Sequence, residues 1–360
     1  MEQALLNRRF LGAVGVVVFA TVMAGVWIGL RIGGVRVTLF LDDGLTPLAA
    51  LVACALCFRA RARHVGRMRL FWTLLGCAMA SWTLAEVIWG YYALILDVKV
   101  PVPSWADVGY LSAIPLAVAA LVVHPATRGS GTHKARSVFD GLVIATALMF
   151  LSWTLVLGPV WRSADLSTWT GVVTLAYPFG DVVIVFFIVL AIRGMTGKDR
   201  LSLWCLLGAL LVMALSDSTY TYLTDVTSYM SPGLIDTGWI AAYLGIALAA
   251  FSSRPSGAVE PVAAEDSRPS LASLISPLLP VLLALSVAAV QIRLGHHLDR
   301  AAWLMAFGLI ALVLVRQGLM VRELLAPSRD TRDGLMQRLT HAALGGASGE
   351  EGPGPGYEPL

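Results

Sequence analysis

Apolar runs of roughly one membrane thickness alternate with short basic or polar segments along nearly the whole chain. They fall at about 10–30, 44–58, 70–96, 105–123, 138–161, 169–192, 201–223, 233–251, 272–292 and 302–321. A helix rises 1.5 Å per residue, so about 20 apolar residues cross a hydrocarbon core. The pattern therefore predicts ten helical spans. The second is the weakest, because Asp42, Asp43 and Pro47 blur its start. No segment alternates in the way a barrel strand would.

Composition turns this pattern into a class. Of the 360 residues 57% are hydrophobic and 14% charged, and the mean hydropathy is +0.75. Soluble domains carry about 25% charged residues, and no core could absorb this much apolar surface. The expected fold class is an all-α integral membrane protein. The run after Arg8 and Arg9 is too long for a signal-peptide core and lacks a convincing cleavage site, so it reads as an uncleaved first span. All four cysteines lie in apolar runs, which argues against a disulfide scaffold. Cys54-Ala-Leu-Cys57 lacks the strand–helix context of a redox motif and reads as helix packing.

The net charge of +3 matters less than its placement. If the N-terminus is cytoplasmic, 20 of the 26 Lys and Arg residues fall on inner segments, including Arg59, Arg61, Arg63, Arg67 and Arg69. The other six are Arg31, Arg36, Lys99, Arg162, Arg293 and Arg300. The positive-inside rule then predicts cytoplasmic termini and a multi-pass cytoplasmic-membrane protein. The basic run 59–69 reads as a topology determinant touching anionic lipid headgroups, with no nucleic acid implied. Arg316, the one basic residue inside a span, is expected to snorkel to the cytoplasmic face.

Two segments repeat. Asp107-Val-Gly109-Tyr110-Leu111-Ser-Ala113 opens span four, and Asp236-Thr-Gly238-Trp239-Ile240-Ala-Ala242 opens span eight. Trp72-Thr-Leu74-Leu75-Gly76 and Trp204-Cys-Leu206-Leu207-Gly208 pair in the preceding spans, followed by Glu86 and Asp217. An even number of spans separates the copies, so they share one orientation. The prediction is a 4+4 parallel repeat about the membrane normal, with two spans appended. The organisation expected is an eight-helix module over 1–251, a cytoplasmic linker over 252–270, two spans and a signalling helix over 271–325, and a mostly disordered tail over 326–360.

Carboxyl groups within spans are costly, at about 2.5–3.5 kcal/mol or more at mid-membrane, and normally face a cavity or a partner. Glu86 and Asp217 lie in the outer halves of their spans, Asp107 and Asp236 at outer ends, and Asp181 near the middle of span six. Polar-edged aromatics share that level, among them Trp89, Tyr110, Tyr177, Tyr220 and Trp239. Together these ten residues are the candidate ligand site, an outward-facing acidic and aromatic pocket for a cation or an amphipathic small molecule. The competing reading makes the aromatics an interfacial belt and the two outer-end aspartates helix N-caps. Inside AYPFGD (176–181), Pro178 removes a backbone donor and Gly180 admits a close neighbour, so this pair is the expected hinge.

No HExxH, GxSxG or P-loop is present. His296-His297-Leu298-Asp299 holds donor atoms, but three ligands on one turn are a weak metal signal. Asp181 and Asp217 lack the spacing of an intramembrane aspartyl protease. Neither a catalytic residue, a metal nor a cofactor is expected.

WADVGYLSAIP (105–115), FDGL (139–142), AYPFGD (176–181), Asp217 with Tyr220, and DTGW (236–239) together resemble the multi-span sensory region of actinobacterial GGDEF/EAL proteins, which make or degrade cyclic-di-GMP. The resemblance spans roughly 70–325 and implies a sensory membrane module. In that family the last span leads into a catalytic domain. Here 313–346 begins like the signalling helix and then becomes rich in glycine, proline and glutamate, with no GGDEF or EAL signature. The likeness therefore implies sensing and no cyclase or phosphodiesterase activity. The expected output partner is a cytoplasmic signalling protein or a second copy of the chain. Buried carboxylates and parallel repeats equally describe a secondary transporter or proton-coupled carrier, the alternative function.

Overall fold

The computed structural model describes residues 2–125, 132–163, 169–193, 200–226, 232–254, 278–295 and 297–325. Within them the chain is helical and contains no strand. The helices are α1 Glu2–Leu30, α2 Val35–Arg63, α3 Gly66–Gly90, α4 Trp105–Val123, α5 Thr132–Ser152, α6 Gly158–Ser163, α7 Trp169–Arg193, α8 Arg200–Val226, α9 Asp236–Ser252, α10 Leu278–Arg293 and α11 Arg300–Leu325. A π-helical turn over Tyr91–Ile95 extends α3, and another over Trp153–Leu157 joins α5 to α6. Among the described residues eight helices are long and apolar enough to cross a membrane, while α9 and α10 are apolar but shorter, at 17 and 16 residues. The segment 255–277, which holds most of the expected linker, and the tail 326–360 lie outside the described residues.

Six helices close a ring. Going round, α2 packs on α3, α3 on α4, α4 on α7, α7 on α8, α8 on α9, and α9 returns to α2. One continuous core joins them, built from small residues on the seams and larger ones between. In α2, Ala49, Ala50, Ala53, Cys54, Cys57 and Ala60 are buried at three- and four-residue spacing, a small-residue stripe that lets backbones approach. Cys54 Sγ donates to the Gly76 carbonyl of α3 at 3.6 Å, a packing role. Outside the ring, α1 lies mainly on α9, α5 lies on α7, and α10 and α11 pack on α5 around a separate small core.

Three boundaries or roles differ from those read in the sequence. The turn between α1 and α2 passes through Gly33 and Gly34, with φ of 86° and 88°, so α2 starts at Val35. Asp42 and Asp43 therefore sit inside a helix rather than at its edge. In span six, α7 runs unbroken through Pro178, so the expected hinge is a helix with one missing donor, not a break. Gly180 beside it faces Ile114 of α4, whose Cγ1 and Cγ2 would lie 3.2 Å from an added Cβ. Its smallness serves a helix crossing.

The third difference is Arg316. It does not snorkel: it is fully buried, and its Nε donates to Asp140 Oδ1 of α5 at 2.8 Å in an ion pair. At the other end of α11, Asp299 accepts from Trp153 Nε1 at 3.0 Å and from Arg162 Nη1 at 3.1 Å, and caps the Ala302 N–H. Seventeen residues, about 25 Å of helix, separate these two attachments. Asp299, the carboxylate of the weak metal motif, is thus committed to holding α11 against α5 and α6.

Candidate functional site

Five ring helices deliver the ten candidate residues to one level. Asp107 and Asp236 sit in the first turns of α4 and α9 and do the same local work. Asp107 Oδ2 accepts the Ser104 N–H at 2.6 Å, and Asp236 Oδ2 accepts the Gly233 N–H at 2.8 Å. Each carboxyl thus binds a backbone donor three residues back, as in a capping box. Neither aspartate is itself an N-cap, since Ser104 holds that place before α4, with Asp107 as the third residue of its capping box, and Ile235 holds it before α9. Asp107 does more. Its Oδ1 accepts the Tyr177 hydroxyl of α7 at 2.5 Å, across the α4–α7 seam.

The next residues of the repeated motif set helix spacing. A Cβ on Gly109 would lie 2.8 Å from the Ala85 Cβ, and Ser81 Oγ donates to the Gly109 carbonyl at 2.8 Å. Gly238 abuts Ser216 of α8 in the corresponding way. Close approach at these two glycines brings α3 against α4 and α8 against α9. That places each following aromatic beside a carboxyl. Tyr110 reaches Glu86, and Trp239 Nε1 donates to Asp217 Oδ1 at 2.6 Å.

Glu86 is buried and takes a second donor from across the ring, the Tyr243 hydroxyl of α9 at 2.7 Å. Ring contacts complete the cluster. Tyr220 meets Trp89 at a centroid distance of 6.4 Å and Trp239 at 5.5 Å, and Tyr110 meets Tyr177 at 6.3 Å. All are edge-on, the favoured aromatic geometry. Asp181 lies beside Asp217, and its Oδ2 is a buried atom with no hydrogen-bond partner among the described residues. A buried polar oxygen left unmatched costs about 1–3 kcal/mol.

Two members were missed in the sequence. Tyr243 follows Asp236 by seven residues and Trp239 by four, which puts all three on one helix face; that spacing was available. Asp43 was read as a span boundary. In the structure it approaches Asp236 and Glu86, and its Oδ2 also lacks a partner among the described residues. Trp105, 72% exposed, and Tyr91, 51% exposed, lie at the surface as interfacial residues would. Among the described residues the two ion pairs, Arg162–Asp299 and Arg316–Asp140, both lie away from the cluster. No group of three or more metal-ligating side chains is found among the described residues. Chemically, the arrangement offers hydrogen-bond acceptors, carboxyl groups and π faces.

Comparison with protein-family models, curated proteins and solved structures finds no match to this chain.

Proposed function

We propose that the chain is a multi-pass membrane sensory module, with cytoplasmic termini, that binds a small cationic ligand at the acidic and aromatic cluster on its outer side. The observation that carries this reading is Asp181. Its neighbours Glu86, Asp107 and Asp217 each hold a fixed donor from another helix, whereas Asp181 Oδ2 is buried and unmatched beside Asp217. An ammonium group would supply the missing donor, and Trp89, Tyr220 and Trp239 would supply π faces.

The repeat supports the same picture. Pro47 and Pro178 differ by 131 positions, as do Glu86 and Asp217; Asp107 and Asp236 differ by 129, as do Gly109 and Gly238. The ring accordingly reads as α2–α4 opposite α7–α9. Asp181 breaks the correspondence, since its counterpart at 131 residues' distance is Ala50. A residue that departs from a structural repeat is the natural carrier of function.

A path outward also exists. Asp181 sits on α7, α7 packs on α5, and α5 is held to α11 at two levels. Ligand-induced adjustment of α7 would reach the inner end of α11, and from there a cytoplasmic partner or a second copy of the chain. The likeness to the sensory region of cyclic-di-GMP proteins is consistent with that role.

The adjacency of Asp181 and Asp217 favours a second reading, a proton-coupled carrier. Equilibrium binding of alkylammonium probes to protein in nanodiscs, compared between wild type and Asp181→Asn, tests the first reading. Uptake of the same probes into proteoliposomes, abolished by Asp181→Asn, would replace sensing by transport.

A further inference from the structure

A different kind of site lies at the opposite end of the ring. His64 is the C-cap of α2 and is 3% exposed. Both of its ring nitrogens face carbonyl oxygens. Nδ1 is 2.8 Å from the Ala60 carbonyl in its own helix, and Nε2 is 2.7 Å from the Arg254 carbonyl just beyond α9. A carbonyl oxygen only accepts. Neutral imidazole carries one N–H and one lone pair, so it can satisfy one of these contacts and must oppose a lone pair to the other. Only the imidazolium donates to both. We propose that His64 is a proton-binding site that ties α2 to the end of α9 when protonated and releases that tie when neutral.

The local charges make the balance close. Favouring the cation are two charge-assisted hydrogen bonds and the carbonyl-rich C-terminus of α2, with the chain end of α9 adding a second set of carbonyls. Opposing it are burial and the surrounding positive groups. Arg59, Arg61 and Arg63 precede His64 on α2, Arg67 and Arg69 follow on α3, and Arg254 supplies the acceptor from the α9 side. Trp72 of α3 covers the ring at 6.3 Å, and His124 of α4 stands behind Phe71 at 4.9 Å. Among the described residues, the two carbonyls are the only polar partners of His64.

The two bonds are unequal in consequence. The proposal takes the neutral ring as the Nδ1–H tautomer, which keeps the local Ala60 contact within α2 and gives up the Arg254 contact. The Arg254 contact spans 190 residues and joins the two helices that close the ring. With that tautomer the tie is present at low pH and is lost as pH rises. The reading is independent of the ligand at the outer cluster, so either can fail alone.

The test uses the full chain in nanodiscs, labelled with ¹⁵N-histidine and with spin labels at Ala62→Cys and Phe251→Cys in a background with its four native cysteines changed to alanine. Both labelled positions are exposed. Long-range ¹H–¹⁵N spectra report His64 protonation, assigned by its loss in His64→Gln, and dipolar spectroscopy reports the α2–α9 distance. As pH is raised, we expect His64 to pass from two protonated nitrogens to one. The distance distribution should broaden or lengthen over the same range, and His64→Gln should show no such transition. If His64→Gln does not fold, the parent titration decides alone. A His64 that never changes protonation, or a distance that does not follow it, overturns the proposal.

Discussion

Removing either member of the Arg316–Asp140 pair should be among the most damaging single changes in this protein. Both side chains are essentially inaccessible, at 0% and 1% exposure, and the Nε–Oδ1 contact is 2.8 Å. Taking away one partner leaves the other as a buried charge without its counter-ion, a loss of about 3–5 kcal/mol. The attachment at the other end of α11 is different. Arg162 is 58% exposed, and a solvent-exposed pair contributes only about 0–1 kcal/mol. Arg316→Met and Asp140→Asn should therefore each destabilise by about 3–5 kcal/mol, and Arg162→Ala by less than about 1 kcal/mol. The double variant Asp140→Leu/Arg316→Met removes both charges and leaves apolar surface of similar volume. It should return to within about 1 kcal/mol of the parent, or exceed it. Equilibrium unfolding in mixed micelles or bicelles measures all four. A cost below about 1 kcal/mol for Arg316→Met, or a double variant as unstable as the singles, would refute a dry, paired site.

Other outcomes follow from the same contacts. Tyr243→Phe and Tyr177→Phe each delete one donor to a carboxyl and should cost about 1–3 kcal/mol in the same unfolding assay, with helix content unchanged by circular dichroism. Gly109→Val forces branched carbons into Ala85 and Ser81 and should cost about 1–3 kcal/mol or more, whereas Gly12→Ala, with nothing within 4 Å, should be neutral or slightly stabilising. His124, just past the end of α4, is held by burial and by the Arg67 charge at about 4, below the ordinary histidine value near 6.5. The unfolded chain binds that proton first, so stability should fall as pH drops from about 6.5 to 4, by up to about 3 kcal/mol. Unfolding measured across that range should show the slope, and His124→Gln should flatten it.

Much of the architecture was legible because the bilayer admits few solutions. Twenty-residue apolar runs can only be helices in that setting, and the helices fall where the runs do. The candidate cluster was legible for a related reason: a carboxyl or an indole N–H is costly inside an apolar run, which singled out Glu86, Asp181, Asp217 and Trp239. What stayed hidden depends on three-dimensional neighbours. Arg316 looked like a snorkelling end residue because its partner, Asp140, is 176 positions away. Gly180 looked like an opening for a ligand because the sequence does not show Ile114 crossing there. Asp43 looked like a boundary because the helix start is set upstream by the turn at Gly33 and Gly34. His64, one letter in a basic run, shows its chemistry only once two carbonyls from distant segments are seen to face it.

The central claim, a cation site built on Asp181, is tested most directly by isothermal titration of tetramethylammonium and n-butylammonium into the purified protein in nanodiscs. Wild type should bind at least one of these probes saturably. Asp181→Asn should lose the binding while keeping the parent's helix content and unfolding midpoint, and Arg162→Ala, remote from the cluster, should retain it. Absence of saturable binding by wild type, or binding that survives Asp181→Asn unchanged, would contradict the account.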